Sequence, residues 1–328
     1  MKNTIQKKLS APRSWSKAFT ATITTVIIIS SGVLLWTDTY SVAHPYNSKF
    51  VDEPNRNFLK VEYILAHPNQ YDGFIFGSSR VGAILPSHVQ GAKFYNMTYS
   101  EGIPHEHLLN LQLFLSRGIK IKKILLGLDE FSYQVSFAQH QQRWLTRTHP
   151  LAANSSWANF YRFYFIRLPT QHDKSQFKKK LFNPDRTMTF DIINQDQFYK
   201  KYLSESPNFK DNDPIYSHPT HYSGNILEAT LQDIRDIVAL CQQNNIELTI
   251  FINPIHHTTY EDTDKILLFK FQRELSNITS YYDFSGPNHI TINNYNFVDT
   301  SHYTTDIGDF MLKNMSESNL IQNFSSVN

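Results

Sequence analysis

Short apolar runs alternate with amphipathic ones along most of this chain, and that alternation constrains its fold more than any other feature. Asp72–Gly77, Gly91–Asn96, Lys122–Leu128, Glu247–Asn253 and Ser280–Phe284 read as strands, each only a few residues long. Between them lie helical patterns. Phe58, Val61, Ile64 and Leu65 share one helical face, which His67-Pro68-Asn69 ends. Pro104 opens another helix at its favoured first-turn position and Gly118 stops it. Ile226–Gln243, Asp264–Asn277 and Thr304–Ser316 complete the set. Strands separated by helices of this length predict an α/β fold, a three-layer parallel sheet with helices on both faces.

The hydrophobic content of 41% against 18% charged residues is enough for a packed core. Charge placement matters more than the formal net charge of +2. Lys2, Lys7, Lys8, Arg13 and Lys17 precede any acid, which leaves the remainder slightly acidic. A slightly acidic body excludes nucleic acid as a partner, because phosphate binding needs a basic surface. The run Ala18–Trp36 carries no charge. As a helix it spans about 28 Å, close to the hydrocarbon thickness of a bilayer. Its threonines and serines can hydrogen-bond back to the helix. The basic flank predicts a cytoplasmic N-terminus and an extracytoplasmic (periplasmic) body on a single-pass anchor. The alternative is a cleaved signal peptide, for which Ser41-Val42-Ala43 is a weak cleavage site. The single cysteine, Cys241, excludes an internal disulfide and a cysteine zinc site. Its apolar helical surroundings mark it as a core residue.

This organisation gives a cytoplasmic tail at 1–17, an anchor at 18–36, a tether at 37–57, an α/β domain at 58–320 and a tail at 321–328. One segment, about 134–222, breaks the alternation. It is rich in aromatics (Trp144, Trp157, Phe160, Tyr161, Phe163, Tyr164, Phe165) and contains Lys178-Lys179-Lys180. It reads as a helical insertion over the sheet's carboxyl edge. Its alternatives are a packed aromatic subdomain and a substrate-binding cap or membrane-lying surface.

Ligands gather at the carboxyl ends of strands in open α/β sheets. Gly77-Ser78-Ser79-Arg80 follows one such end and Asp299-Thr300-Ser301-His302 lies far downstream. Glycine lets the chain turn sharply, and amides near a helix start can hold an oxyanion. An acid and an imidazole three residues apart share one side of a turn, where the carboxylate fixes the tautomer. Alone, both motifs are weak: most Gly-Ser-Ser tripeptides are plain turns, and Asp299, Ser301 or Thr304 can simply cap the last helix. Together, in the order Ser…Asp…His, they are the parts of a serine acyl-transfer site. Asn253-Pro254-Ile255-His256-His257 ends another strand, without the second ligand cluster that a metal needs. Arg80 is placed to pair with an anionic substrate, with Asp129, or in a surface salt bridge. The chain has neither a phosphate-binding glycine loop nor a dinucleotide fingerprint.

Four blocks carry a family resemblance: the strand with Gly77-Ser78-Ser79-Arg80, Tyr95-Asn96-Met97-Thr98-Tyr99-Ser100-Glu101-Gly102, Leu126-Gly127-Leu128-Asp129, and Asp299-Thr300-Ser301-His302-Tyr303. Over about 58–315, with the middle segment unmatched, the chain resembles the SGNH/GDSL-type hydrolases. More narrowly it is similar to their membrane-anchored envelope branch, the DltD-like proteins and polysaccharide O-acetyltransferases. The resemblance implies an SGNH-like (flavodoxin-like) sheet and a catalytic triad of Ser79, Asp299 and His302. It implies oxyanion donors at Ser79 and Gly102, with Arg80, Asn96, Asp129, Asn253, His256 and Tyr303 lining the substrate site. Ser78 stands where many members have Asp, and Asp129 near where the family has an asparagine donor. A carboxylate donates no hydrogen bond unless protonated. The implied activity is an O-acyltransferase or esterase without a cofactor. An acyl donor, supplied by a membrane acyltransferase partner, and a surface polysaccharide acceptor would be its partners. The alternative is a non-catalytic binding or scaffolding subunit of an envelope-polymer assembly complex.

Overall fold

The computed structural model describes residues 11–43, 55–142, 148–182, 195–196, 200 and 225–317. The chain divides into two compact units, one of Met1–Phe50 with Asn154–Thr189, the other of Val51–Ala153 with Phe190–Asn328.

The larger unit is built on five parallel strands: β1 (Gly73–Phe76), β2 (Phe94–Asn96), β3 (Lys123–Leu128), β4 (Glu247–Ile252) and β5 (Tyr282–Asp283). Their order is β2-β1-β3-β4-β5. Helices α2 (Arg56–Ala66), α3 (Pro104–Ser116), α4 (Phe137–Gln142), α7 (Leu227–Gln243), α8 (His257–Asp262), α9 (Lys265–Ser276) and α10 (Thr305–Glu317) belong to this unit. Two helices of the smaller unit, α5 (Trp157–Phe165) and α6 (Gln171–Phe182), lie between α4 and α7 in the chain.

Crossover handedness decides where the helices go. The step from β1 to β2 runs one way along the sheet, and every later step runs the other way. Right-handed crossovers therefore put α3, α7 and α9 on one face and the β1–β2 connection on the opposite face. The cores follow this division. Phe74, Phe76, Ile124, Leu126, Ile250 and Ile252 share a cluster with residues of α2, α3, α7 and α9. Their alternates Ile75, Leu125 and Phe251 pack with Val81, Ala83, Ile307 and Met311. The two-residue period of a strand thus fills both faces from one sequence. Cys241 is buried in the first core, and burial pushes its thiol up to about 12.

The strands and longer helices lie within a residue or two of their sequence expectation, except that β2 begins at Phe94, three residues after the expected Gly91. Two differences matter. The segment at 134–222 is not one insertion: α4 belongs to the α/β unit, whereas α5 (Trp157–Phe165) and α6 (Gln171–Phe182) group with α1 (Ala11–Thr37). Helix α1 also begins earlier than the apolar run and takes in Arg13 and Lys17. The span Ser14–Thr37 is long and apolar enough to cross a membrane, with mean hydropathy 2.0. Thr22 and Thr25 donate their hydroxyls to the carbonyls of Ala18 and Ala21, both at 2.9 Å. The expected tether begins as a turn in which the Asp38 carboxylate accepts from the amides of Val42 and Ala43. The rest of it up to residue 54, most of 183–224 and the tail from 318 lie outside the described residues.

Candidate active site

The strand order reverses at β1 and β3, so the crevice for a ligand opens at their carboxyl ends. Ser79 lies there. Gly77 closes β1 with φ +152°, and a Cβ at this position would stand 2.3 Å from Val81 Cγ2. Only glycine makes this turn. The sequence predicted a helix start here. The structure has a five-residue 3-10 turn, Ser79–Ala83. Ser78 caps it: its hydroxyl accepts from the Arg80 amide at 3.3 Å and its carbonyl accepts from the Thr98 hydroxyl. Ser78 is buried and committed to the backbone, while Ser79 keeps some exposure. Asn96 latches the turn from β2, donating to the carbonyls of Val81 at 3.0 Å and Ile84 at 3.2 Å.

The acid and base sit in a tight loop closed by an antiparallel bridge between Phe297 and Tyr303. The Val298 amide donates to the His302 carbonyl at 2.9 Å, and Thr259 ties the loop to α8 through the Thr300 carbonyl. Helix α10 then packs on the Ser79 turn. A Cβ at Gly308 would stand 2.4 Å from the Ala83 carbonyl oxygen, so this approach needs glycine. That contact brings together two motifs more than two hundred residues apart.

Ser79 Oγ lies 2.9 Å from His302 Nε2. His302 Nδ1 lies 2.8 Å from Asp299 Oδ2 and 3.0 Å from Oδ1. An ionised carboxylate only accepts, so Nδ1 carries the proton and Nε2 is left to accept from Ser79. Asp299 Oδ1 also accepts from the amides of Ser301 and His302, both at 2.7 Å. Burial alone pushes the Asp299 carboxyl up. The hydrogen bond and charge of His302, with those two amides, more than offset this and hold it at about 2. The arrangement is therefore a hydroxyl on an imidazole of fixed tautomer, oriented by an ionised carboxylate, which is the geometry that nucleophilic acyl transfer requires.

The Ser79 amide is the first in its turn and has no acceptor within it. Gly102 lies beside it: a Cβ there would stand 2.7 Å from the Gly77 carbonyl oxygen. Its amide points to the Tyr99 carbonyl at a long 3.4 Å. As an oxyanion donor, Gly102 must exchange that bond for one to the ligand.

The other expected lining residues are placed differently. Arg80, Asn96, Asp129, Asn253, His256 and Tyr303 are all buried, so they form a layer within the protein rather than the wall of an open site. Arg80 is no surface salt bridge. Its guanidinium donates to both carboxylate oxygens of Glu130, to Asp129 at 3.1 Å and to Ser301 Oγ at 3.2 Å. Burial works against its charge, but Glu130 and Asp129 more than offset that and hold it firmly ionised. Asp129 accepts from Asn253 at 3.0 Å, and Asn253 accepts from the Tyr303 hydroxyl at 2.9 Å. Burial raises the Asp129 carboxyl above its ordinary range, against the pull of Arg80. This network ties the ends of β1, β3 and β4 to the triad loop. His256 caps α8, accepting from the Thr258 amide at 3.2 Å, and its other nitrogen meets Asn294 at 2.9 Å. Sequence reading missed Glu130 and Ser301. The signal for Glu130 was a second carboxylate beside Asp129 at a strand end. A separate groove of about 880 Å³ opens among Lys123, Glu247 and Tyr282, at the amino ends of the strands, and holds none of the triad.

No family model and no curated protein matches this chain.

Proposed function

We propose that this is a membrane-anchored, extracytoplasmic serine acyl-transfer enzyme of SGNH type, acting on acyl groups of a surface polysaccharide or related envelope polymer. The single observation that carries the catalytic reading is the hydrogen-bonded chain Ser79–His302–Asp299 at the strand-order reversal. The polymer rests on the family resemblance. The anchor rests on the apolar span of α1 with a basic segment before it.

His302 Nε2 takes the Ser79 proton as the hydroxyl oxygen attacks the acyl carbonyl. The tetrahedral oxyanion is held by the Ser79 amide and, once it turns from Tyr99, by the Gly102 amide. Collapse breaks the bond to the leaving group, which departs with the proton from His302. An acyl group remains on Ser79. A sugar hydroxyl, or water, then attacks the ester while His302 again takes the proton, and Ser79 is restored. Asp299 stays ionised throughout and holds the imidazole in place.

The second reading is a non-catalytic scaffolding subunit. It is favoured by Asp129, which is engaged with Arg80 and Asn253 and supplies no third oxyanion donor. An activated acetyl ester separates the two. The enzyme gives a burst of leaving group and an acetyl group on Ser79, and added oligosaccharide diverts acetyl from water. A folded chain with neither burst nor adduct supports the scaffold. For topology, a reporter active only outside the cytoplasm, fused after Asn328, is expected to be active. Recovery of the native chain as a soluble cytoplasmic species contradicts the anchor.

A further inference from the structure

Helix α5 carries three different faces. Ser156 caps it, accepting from the Asn159 amide at 3.3 Å. Phe160 and Tyr164, four apart, are buried, and Tyr164 meets Tyr40, just past the end of α1, with ring centroids 5.6 Å apart. Asn159 and Arg162 form a polar, exposed face. The third face is a ladder of Trp157, Tyr161 and Phe165. Trp157 stacks on Tyr161 at 5.6 Å and 25°, and Tyr161 on Phe165 at 6.3 Å and 19°. Residues four apart share one side of a helix, so the ladder is continuous. It stays partly open to solvent, and Ile166 and Leu168 extend it at 56% and 69% exposure. A soluble surface has no reason to stack aromatic rings and follow them with bare aliphatic residues.

Helix α6 docks at the same level. Phe177 meets Trp36 edge-on at 5.7 Å. Arg167 holds the α5–α6 turn, donating to Asp173 Oδ1 at 2.9 Å and to Oδ2, and lies over the Tyr40 ring. Lys174 and Lys178 of α6 are exposed. Trp36 itself is 52% exposed in the last turn of the apolar run. At the opposite end Trp15 and Phe19 stack at 5.4 Å and face outward. Trp15 and Trp36 are about 32 Å apart along a helix, close to the hydrocarbon thickness with an aromatic residue at each boundary.

From these observations we infer that α5 and α6 form an interfacial collar, seated in the lipid headgroup region at the far end of the span. The inference rests on α1 crossing a membrane. Trp36 and Tyr40 then lie at the headgroup level, and whatever packs on them lies there too. The buried stripe faces the span, the aromatic ladder faces lipid, and Asn159 and Arg162 face water. Aromatic rings favour this boundary, where one end is apolar and the other wet. The exposed Lys174 and Lys178 beside it can lay their stems along the apolar boundary and keep their ammonium groups among the polar headgroups. The anchor is then a span plus a collar that lies flat on the outer leaflet.

The full chain in phospholipid nanodiscs tests this with two single-tryptophan variants. One keeps Trp157 and carries Trp15→Phe, Trp36→Phe and Trp144→Phe. The other keeps Trp36. Shallowly brominated lipid is expected to remove roughly half of the Trp157 emission, as for a ring about 5–10 Å into the headgroup–acyl boundary, and aqueous iodide to have little effect. Quenching by iodide but not by lipid overturns the collar. Shielding from both also overturns it, since protein rather than lipid then covers the ladder. The Trp36 variant separates the premises. If lipid quenches neither tryptophan, the span itself fails. If it quenches Trp36 and not Trp157, only the collar fails.

Discussion

Of the carboxylate–imidazole pairs among the described residues of the α/β unit, Asp299–His302 and Glu106–His140 differ most in what stands at the second ring nitrogen. In Asp299–His302 the side chains are 28% and 20% exposed, and the second ring nitrogen meets the Ser79 hydroxyl. In Glu106–His140 both side chains are fully buried, with Glu106 Oε1 3.0 Å from Nδ1. That carboxylate also accepts from Tyr99 at 2.7 Å and Gln141 at 2.7 Å. Burial pushes Glu106 up, but His140, with the Tyr99 hydroxyl and His107, more than offsets it and holds the carboxyl below its ordinary value. The second nitrogen of His140 has only Glu101, at 3.9 Å, too far for a hydrogen bond. The difference teaches that a carboxylate orienting an imidazole does not make a catalyst. What stands at the other nitrogen, and whether a substrate can reach it, decides between a reactive pair and a structural one.

The largest expected effects would break this comparison outright. Ser79→Ala should lower acyl transfer by about three to six orders of magnitude, read as initial rates with an activated ester. Asp299→Asn should cost about four orders in kcat, because the tautomer is no longer enforced. Glu106→Leu should leave kcat of the folded fraction nearly unchanged. If instead Glu106→Leu abolishes turnover while Asp299→Asn does not, the roles assigned to the two pairs are reversed.

Stability should show the opposite order. Glu106→Leu strands buried donors of His140, Tyr99 and Gln141 and should cost about 3–5 kcal/mol in denaturant unfolding. Asp299 contributes less and does so with a defined pH dependence. Its carboxyl falls from 3.8 to about 2 on folding. The unfolded chain therefore binds the proton first as pH drops. The Asp299 contribution, about 2 kcal/mol, is complete above about pH 4 and is lost as pH falls through about 2. Unfolding curves of the parent and Asp299→Asn should converge over that window. His107 sharpens the contrast from the buried side. Burial holds its imidazole down to about 4 from an ordinary 6.5. It stays neutral in the folded chain while the unfolded chain takes up a proton, so stability should fall as pH drops from about 6.5 to about 4. That slope should flatten in His107→Leu. The smallest effect belongs to Ser78→Ala, which should keep most activity and lose about 1 kcal/mol of cap stability.

The sheet was legible because strand and helix periods are written locally. Phe74, Ile75 and Phe76 alternate between faces with no help from distant residues. Pro104 and Gly118 mark the ends of α3 in the same local way. Ser79, Asp299 and His302 were legible because each motif carries its own turn chemistry and the fold brings strand ends together. Partner choice inside the core was not. Arg80 had several candidate anions, and its pairing with Glu130 depends on β1 and β3 being neighbours. Glu106 and His140 are joined by the packing of α3 with α4, which no spacing announces. The 3-10 turn after Ser79 was hidden because Gly77 and the Ser78 cap suit an α-helix start equally well. Trp157, Tyr161 and Phe165 were visible as aromatics, but nothing local says that α5 groups with α1 rather than with the sheet.

The most direct test of the central claim is a fluorophosphonate probe on the full-length chain, with the adduct mapped by mass spectrometry. The account predicts one adduct, on Ser79, formed by the folded protein and lost in His302→Ala. Absence of labelling in folded protein, or labelling that persists at another residue in His302→Ala, would contradict it.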